Sequence, residues 1–225
     1  MPAFIHVSER PDVRVVQSTR RDGDFHPASS TIGATRAALS SHPWTQLSED
    51  HGVIVREIES PGGHDGSVGD VSVTRTAGAV LGVWVGDCVP LVLLGREWVA
   101  GVHAGWRGAR DGVLDAAIDA MVLRGDPPSV AVVGAHIGPC CYEFGPEDLD
   151  HMDRIFGPHV RSTDGRGRPA LDMGALVRLA LRARNPDVRI IDVGSCTGCG
   201  DGLFFSHRSR GETRRQVLAV WREAA

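Results

Sequence analysis

Apolar and polar residues follow one another in short blocks, and most of the apolar blocks are too brief to form helices. Runs of about four to eight residues rich in valine, isoleucine and tryptophan are typical of strands. Several of these runs are separated only by a turn, so consecutive strands are expected to pair directly. The predicted strands are Val13–Ser18, Val53–Ile58, Val71–Thr74, Val80–Val85, Val89–Leu94, Trp98–His103, Val130–Ile137, Val188–Val193, Leu203–Ser206 and Gln216–Trp221.

Other segments repeat their apolar positions every three to four residues, which predicts amphipathic helices. Because strands outnumber helices and do not alternate strictly with them, we predict an α+β fold, a sandwich with mixed sheet and flanking helices. A chain of 225 residues fits a single domain over 1–225, and the polar loop 157–169 is the one plausible internal linker. The predicted helices are Thr31–Leu39, Asp111–Leu123, Pro146–Phe156 and Leu171–Arg184.

The pattern around Gly95 and Arg96 predicts a β-hairpin at the centre of the fold. Gly95 suits the first central position of a type II′ turn, where a positive φ carries no Cβ penalty. In that register Cys88 and His103 oppose each other directly, with Cβ atoms roughly 4.5–5.5 Å apart. A thiol and an imidazole so placed could hold a metal ion or form a nucleophile–base pair. With His51 from a loop, they would make a three-ligand zinc set with an open fourth position, which is the catalytic pattern.

Composition narrows the function classes. The net charge of −4 argues against a nucleic-acid partner, and no apolar run approaches the roughly 20 residues that span a bilayer. All 24 basic residues are arginine, which reflects either codon bias or selection of guanidinium groups for anion binding.

The five cysteines indicate reduced thiols and a cytoplasmic location, because their number is odd and Met1–Arg10 lacks the apolar core of a signal peptide. Cys140 and Cys141 are expected to pack at a strand end. The motif Cys196-x-x-Cys199 fits a redox pair or half a zinc site. Since no second such motif exists, we interpret it as structural.

Four strings in the sequence carry a resemblance to a known family: GDCVP (86–90), HAGWRG (103–108), GPCCYEFG (138–145) and a Cys-Thr followed by FFSHR (196–208). With them the chain resembles the YfiH-like family, also called the multicopper polyphenol oxidase or laccase-like family and now regarded as purine nucleoside phosphorylases. The resemblance implies the α/β sandwich related to Cys–His hydrolases. It also implies zinc bound by His51, Cys88 and His103. The family's Gln-Val-His-Gly string here reads Glu49-Asp50-His51-Gly52, and its Ser-Leu-Asn-Leu string is missing.

This resemblance implies phosphorolysis of adenosine, inosine or guanosine, with adenosine deamination and methylthioadenosine phosphorolysis as further activities. The partners would be the nucleoside and phosphate, with the protein a monomer or small homo-oligomer. Arginine forks suit phosphate and aromatic faces suit a purine, whereas Asp87 would transfer a proton or orient the metal ligands. The expected phosphate residues are Arg107, Arg20 and Arg36, and the expected stacking residues are Trp106, Tyr142 and Phe144.

Three other functions stay open at this stage. A copper-dependent phenol oxidase fits the older family name, but one Cys and two His supply at most one copper site. A metal-free hydrolase would use Cys88 as nucleophile and His103 as base. A partner-binding protein without catalysis would show no turnover.

Overall fold

The computed structural model describes residues 2–199 and 202–224, and in that part of the chain thirteen strands form three sheets. A five-stranded sheet has the order β1-β2-β13-β6-β3, a six-stranded sheet has the order β12-β9-β7-β8-β5-β4, and β10 pairs with β11 alone. The strands are β1 (Ala3–Ile5), β2 (Val13–Gln17), β3 (Trp44–Thr45), β4 (Val55–Glu57), β5 (Val71–Thr74), β6 (Val80–Val85), β7 (Val89–Leu94), β8 (Val99–Ala104), β9 (Val130–Val133), β10 (Arg161–Thr163), β11 (Pro169–Leu171), β12 (Arg189–Asp192) and β13 (Gln216–Arg222).

In chain order, most of the α-helices fall in the connections between strands of the six-stranded sheet. Helix α3 buries the face that the sequence pattern predicts, including Leu114, Ala117 and Ile118. No helix among the described residues combines the length and apolarity needed to cross a membrane. The helices are α1 (Ile32–Leu39), α2 (Trp106–Asp111), α3 (Val113–Val122), α4 (Pro146–Phe156), α5 (Met173–Arg184) and α6 (His207–Arg210).

The six-stranded sheet is covered on both faces, which explains why its strands are continuously apolar. Along β7, Leu91 and Leu93 face the cluster that contains the α3 and α5 side chains. Val92 and Leu94 face the five-stranded sheet, where they meet residues such as Leu218 of β13. Both sheets contain parallel and antiparallel pairs, so the predicted sandwich with mixed sheets and flanking helices is confirmed.

The central hairpin forms, but its predicted register is wrong. Pro90, not Cys88, lies opposite His103, because the turn is centred between residues 96 and 97 and not between Gly95 and Arg96. Gly95 does not adopt a positive φ, so the turn is not of type II′. Instead the carboxylate of Asp126 accepts hydrogen bonds from the backbone N–H groups of residues 96, 97 and 98 at 2.7–2.8 Å. The register differs by an even number of residues, so Cys88 and His103 stay on the same face as diagonal neighbours.

Three other predictions need correction. The segment Leu203–Ser206 is not a strand, and the helix predicted over Asp111–Leu123 begins at Val113, because Gly112 has a left-handed φ of 99° and separates it from Asp111 at the end of α2. The loop 157–169 is not a free linker. It contains a 3₁₀ turn whose Val160 is fully buried, and it contributes to the β10–β11 hairpin.

Candidate active site

Three side chains that could bind a metal converge at one end of the central hairpin. Cys88 immediately precedes β7, His103 lies near the end of β8, and His51 comes from the loop after β3. One ligand atom from each lies within 4.8 Å of the others, and Cys88 Sγ is 3.7 Å from His51 Nε2. The two imidazole rings are 4.8 Å apart and nearly perpendicular, so their planes do not stack on each other. The structure therefore brings together the ligand set that the sequence predicts.

A glycine allows this close approach. Continuing the hairpin register places Gly105 opposite Cys88, just after β8. A Cβ atom at Gly105 would lie 2.4 Å from Cδ2 of His51 and 3.3 Å from Cys88 Sγ. The space that a side chain would occupy is filled by the imidazole of His51. His51 itself has a left-handed backbone with φ 64°, which is uncommon for a residue other than glycine.

Asp70 organises both histidines. Its carboxylate is 2.8 Å from Nδ1 of His103 and accepts hydrogen bonds from the backbone N–H groups of His51 at 3.0 Å and Gly52 at 2.8 Å. Because an ionised carboxylate only accepts, Nδ1 of His103 carries the proton and Nε2 is the nitrogen left for a metal. Asp70 is thus the support for two of the three candidate ligands.

Burial and charge shift the pKa values of the site strongly. Burial raises the pKa of the Glu49 carboxyl to about 8, against the lowering effect of the charge on His103, 3.7 Å away. Burial also favours the neutral thiol of Cys88, but the charges and hydrogen bonds of His103 and His51 outweigh it and lower the pKa to about 6. The desolvation of His103 is outweighed by Glu49, Cys88 and Asp70, which raise its pKa well above the ordinary value. Both shifts favour the charged forms, a thiolate at Cys88 and an imidazolium at His103.

The three ligand residues line a cavity of about 330 Å³. Arg107, Arg208 and Arg215 also line it, and within residues 2–199 and 202–224 none of the three is ion-paired with a carboxylate. The aromatic residues of the wall are Trp84, Trp106 and Tyr142. Arg107 lies 4.5 Å above the ring of Trp106, and Arg208 lies 4.7 Å above the ring of Tyr142. Cationic and aromatic groups therefore share one cavity with the three candidate metal ligands.

A larger cavity of about 550 Å³ shares Arg208 with this one, and another of its arginines is neutralised. Arg168 forms ion pairs with Glu143 and Asp164, both at 2.6 Å. The smaller cavity is the better candidate site because it combines the two histidines and Cys88 with three arginines.

Asp87 lines the cavity, yet its carboxylate is occupied by the protein. It accepts hydrogen bonds from the hydroxyls of Thr197 and Ser206, both at 2.7 Å, and from the backbone N–H of Arg208 at 2.6 Å. It therefore ties the loops after β12 to the start of β7.

Two residues predicted to bind substrate lie elsewhere. Arg20 is paired with Glu212 at 2.6 Å and lines a different cavity, together with Cys196 and Cys199. Arg36 donates to Gln46 at 2.6 Å and to Asp65 at 2.9 Å. Neither contributes to the cavity with the three ligands, because each guanidinium is held by its own partners.

Phe144 is buried behind Trp106, with ring centres 5.3 Å apart, and supports the wall without lining it. The sequence reasoning missed several residues that line the cavity or support its ligands. For Arg208 a signal existed, since it ends the FFSHR string, but Asp70 is 33 residues from His103 and has no local signature. The missed residues are Glu49, Asp70, Trp84, His207, Arg208 and Arg215.

Known proteins resemble this chain in sequence. It is 31% identical over 210 residues to a purine nucleoside phosphorylase of Mycobacterium bovis, an alignment that covers 89% of this chain and 82% of the relative. It is 32% identical over 165 residues to adenosine deaminase RL5 of an unknown prokaryotic organism, covering 68% and 62% of the two chains. Three further relatives, from Aquifex aeolicus, Geobacillus stearothermophilus and Xylella fastidiosa, are matched over 42%, 58% and 60% of their own lengths.

Solved structures share the fold. The crystal structure of YlmD from Geobacillus stearothermophilus superposes with a TM-score of 0.85 at 24% identity, covering 97% of this chain and 94% of that one. The Bacillus licheniformis protein YfiH gives a TM-score of 0.87 at 22% identity, covering 99% and 97%. The model of the family described as multi-copper polyphenol oxidoreductase laccase matches residues 28–223. With nearly the whole chain matched, the protein belongs to this laccase-like family, as its motifs predict.

Proposed function

We propose that the protein is a zinc-dependent purine nucleoside phosphorylase that cleaves adenosine, inosine or guanosine with phosphate. The observation that carries the proposal is a single cavity that combines three candidate metal ligands with three arginines that no carboxylate of the described residues neutralises. The names of the relatives from Mycobacterium bovis and Geobacillus stearothermophilus, both purine nucleoside phosphorylases, support the same reaction class. Such an enzyme is a glycosyltransferase.

The ligand chemistry favours zinc. Two imidazoles and a thiolate are ordinary zinc ligands, and three protein ligands are typical of a catalytic centre. A single copper bound by two His and one Cys usually has a methionine as a weak axial ligand, and among the described residues that line this cavity there is no methionine. When bound to His51, Cys88 and His103, zinc would supply Lewis-acid chemistry at the floor of the cavity.

The reaction requires one bond to form as another breaks. A phosphate oxygen bonds to C1′ of the ribose while the C1′–N9 bond breaks, and its electron pair leaves with the purine, which takes up a proton. The products are the free base and ribose 1-phosphate. A phosphate dianion needs cationic donors, and Arg107, Arg208 and Arg215 line the cavity, whereas Arg20 and Arg36 do not. We therefore assign phosphate binding to the first three.

The remaining wall residues would position the nucleoside. Trp106 and Tyr142 offer aromatic faces on which a purine can stack. Because Asp87 is engaged with Thr197, Ser206 and Arg208, we infer a positioning role for it: it holds the loop that carries Arg208 against the cavity. We place the protein in the cytoplasm, in keeping with its five free thiols.

The test combines metal analysis with product analysis. Purified protein is examined for metal by mass spectrometry and incubated with inosine or adenosine, with and without phosphate. About one zinc bound through His51, Cys88 and His103, together with hypoxanthine or adenine released only when phosphate is present, is the expected result. The Cys88→Ala variant should lose this ion and its turnover together. Release of base without phosphate, or an active Cys88→Ala protein, contradicts the proposal.

The same assay tests adenosine deamination. The similarity to adenosine deaminase RL5 motivates this second reaction, in which water replaces the exocyclic amine and ammonia leaves. Inosine appearing from adenosine in the absence of phosphate would show it. Loss of this activity in Cys88→Ala would place both reactions in the same cavity.

A metal-free hydrolase is a second candidate that the geometry favours. His103 lies between the Asp70 carboxylate and the Cys88 thiol, so the three residues have the order of an orienting acid, a base and a nucleophile. In this case metal-stripped protein would remain active, and one equivalent of iodoacetamide on Cys88 would abolish turnover. If the metal-stripped protein is inactive and regains its activity when zinc is added, the result supports the zinc-dependent phosphorylase.

A further inference from the structure

Four of the five cysteines form a second cluster, separate from the candidate active site. The Sγ atoms of Cys140, Cys141, Cys196 and Cys199 all lie within 4.8 Å of one another. Cys140 Sγ is 3.4 Å from Cys199 Sγ and 3.6 Å from Cys196 Sγ. From the sequence, Cys140 and Cys141 are expected only to pack, and Cys196 and Cys199 to form an isolated motif. Neither expectation accounts for this convergence. We propose that the four thiolates bind a second Zn²⁺ ion in a closed, structural site.

The sheet topology explains why the two pairs meet. Strands β9 and β12 are parallel neighbours, so the loops that follow them leave the same edge of the sheet. Cys140 and Cys141 lie in a 3₁₀ turn after β9, and Cys196 and Cys199 lie in the loop after β12. Backbone hydrogen bonds between residues 136 and 197, at 3.0 Å, and 136 and 195, at 3.3 Å, hold the two loops together.

The sulfur separations suit one tetrahedral ion. Zinc–sulfur bonds of about 2.3 Å place the four sulfurs about 3.8 Å apart. The distances of 3.4 and 3.6 Å are close to that value and far longer than a disulfide bond of about 2.05 Å. An iron–sulfur cluster would hold the thiolates farther apart, because several irons and sulfides occupy its centre. Tetrahedral S₄ ligation by a single ion therefore favours zinc.

The backbone around the cluster is shaped for thiolates. The N–H groups of Gly138 and Gly198 donate to Cys196 Sγ at 3.1 and 3.3 Å, and hydrogen bonds to the charged form favour a thiolate. A Cβ at Gly198 would lie 2.7 Å from Cβ of Cys141, 2.9 Å from its Sγ and 2.5 Å from Oγ of Ser209. Only glycine allows the two loops to approach this closely.

The second site would support one wall of the candidate active site. Tyr142, which lines the cavity, directly follows Cys141. Thr197, between the other two cysteines, donates to Asp87, and Arg210 donates to the carbonyls of Thr197 and Gly198 at 3.0 Å. A four-thiolate site has no open position, so its ion would link the loops and take no part in the reaction.

The experiment counts zinc per chain in protein that is reconstituted with zinc under reducing conditions. We expect about two ions in the wild type, about one in Cys199→Ser, about one in Cys88→Ala and none in the double variant. Ser195→Ala, one residue before Cys196, leaves all four thiols in place and is the matched control with about two ions. With cobalt in place of zinc, the intense absorption of the four-thiolate site should persist in Cys88→Ala and fall in Cys199→Ser to the weaker contribution of the single Cys88 thiolate.

Several results would overturn the second site. One is a wild type that binds a single zinc ion, if the Cys199→Ser variant also binds it. A Cys88→Ala protein without zinc would be another. An iron–sulfur absorption spectrum, or a disulfide among the four cysteines in intact-mass analysis, would also contradict the proposal. If Cys199→Ser does not fold, Gly198→Ala serves, since its Cβ would force the loops apart. Because the two sites use different residues, Cys88→Ala and Cys199→Ser test them separately, and failure of the phosphorylase proposal leaves this one standing.

Discussion

The carboxylate of Asp70 lies 2.8 Å from Nδ1 of His103, and both side chains are buried. The same carboxylate accepts from the backbone of the loop that carries His51. One acidic residue therefore sets the tautomer of one candidate ligand and the position of another.

Replacing Asp70 by asparagine should weaken zinc binding. An amide has a single acceptor oxygen in place of two, so the contacts to His103, His51 and Gly52 cannot all be kept. Replacing a group that orients a metal ligand typically weakens metal affinity about 10–100-fold. Competition with a chromophoric chelator measures the change. Asp65→Asn, which alters a carboxylate paired with Arg36, is the matched control, and equal affinities in the two variants would contradict the prediction.

Adding one methyl group at Gly105 should empty the proposed zinc centre without unfolding the protein. The backbone there has φ −74° and ψ 159°, which alanine adopts readily, so the effect comes only from the new Cβ. That atom would displace the imidazole of His51, 2.4 Å away. We expect the Gly105→Ala protein to lose turnover at least about 10-fold, as misplaced catalytic groups do, with a nearly unchanged thermal midpoint.

Gly33→Ala is the control for Gly105→Ala. Gly33 lies in α1, and a Cβ there would have no atom within 4 Å. Alanine in a helix is favoured over glycine by about 0.5–1 kcal/mol, so this variant should be active and slightly more stable. Equal metal content in the two alanine variants would refute the steric explanation for Gly105.

Arg107→Ala should raise the KM for phosphate more than the KM for the nucleoside. A hydrogen bond to a charged group contributes about 1.5–3 kcal/mol, which corresponds to a rise of about 10–100-fold. Steady-state kinetics with each substrate varied in turn provide the measurement. Arg96→Ala removes an arginine that is 86% exposed at the opposite end of the hairpin and should leave both constants unchanged. A rise confined to the KM for the nucleoside would mean that Arg107 binds the nucleoside and not phosphate.

The pH dependence of stability should change in Glu212→Gln. Hydrogen bonds from Arg20 lower the pKa of Glu212 to about 2, aided by the N–H of Ser206 and by Arg210 and opposed by burial. Because the pKa of Glu212 is lower in the folded chain than in the unfolded chain, its ionised carboxylate stabilises the fold at pH values above the unfolded pKa. This contribution disappears as the pH falls towards 2. The contribution is on the order of 2 kcal/mol, allowing for partial exposure.

Urea unfolding at several pH values tests this prediction. At pH 6 the variant should have a lower free energy of unfolding than the wild type, and the two should converge as the pH approaches 2. A difference that stays constant over this range would mean that the charge of Glu212 is not its source.

Local pattern was sufficient for several elements whose apolar residues recur regularly between turn residues. The predicted bounds of β5, β6, β7 and α4 agree with the structure, because a run of the right length between turn residues restricts the backbone locally. The alternation of strand residues also placed Cys88 and His103 on one face. The motif residues Cys88, His103 and His51 could therefore be grouped as ligands before their distances were known.

Tertiary contacts decided the register of the hairpin and the identity of its supporting groups. Asp126, about 30 residues beyond the turn, holds residues 96–98, and a Cβ at Gly95 would be 2.5 Å from its carboxylate. Gly95 is thus needed for the approach of a distant side chain and not for a positive φ, a distinction that a local pattern does not contain.

The sequence by itself determined most of the longer strands and helices, which face each of their residues takes, and which short strings carry chemistry. Only the folded chain brought Asp70 to His103, Arg208 and Arg215 to the cavity, and four cysteines from two loops to one point. The physical reason is that backbone propensity and side-chain alternation act over a few residues. The meeting of loops depends on which strands become neighbours, and that is decided by burying the whole core at once.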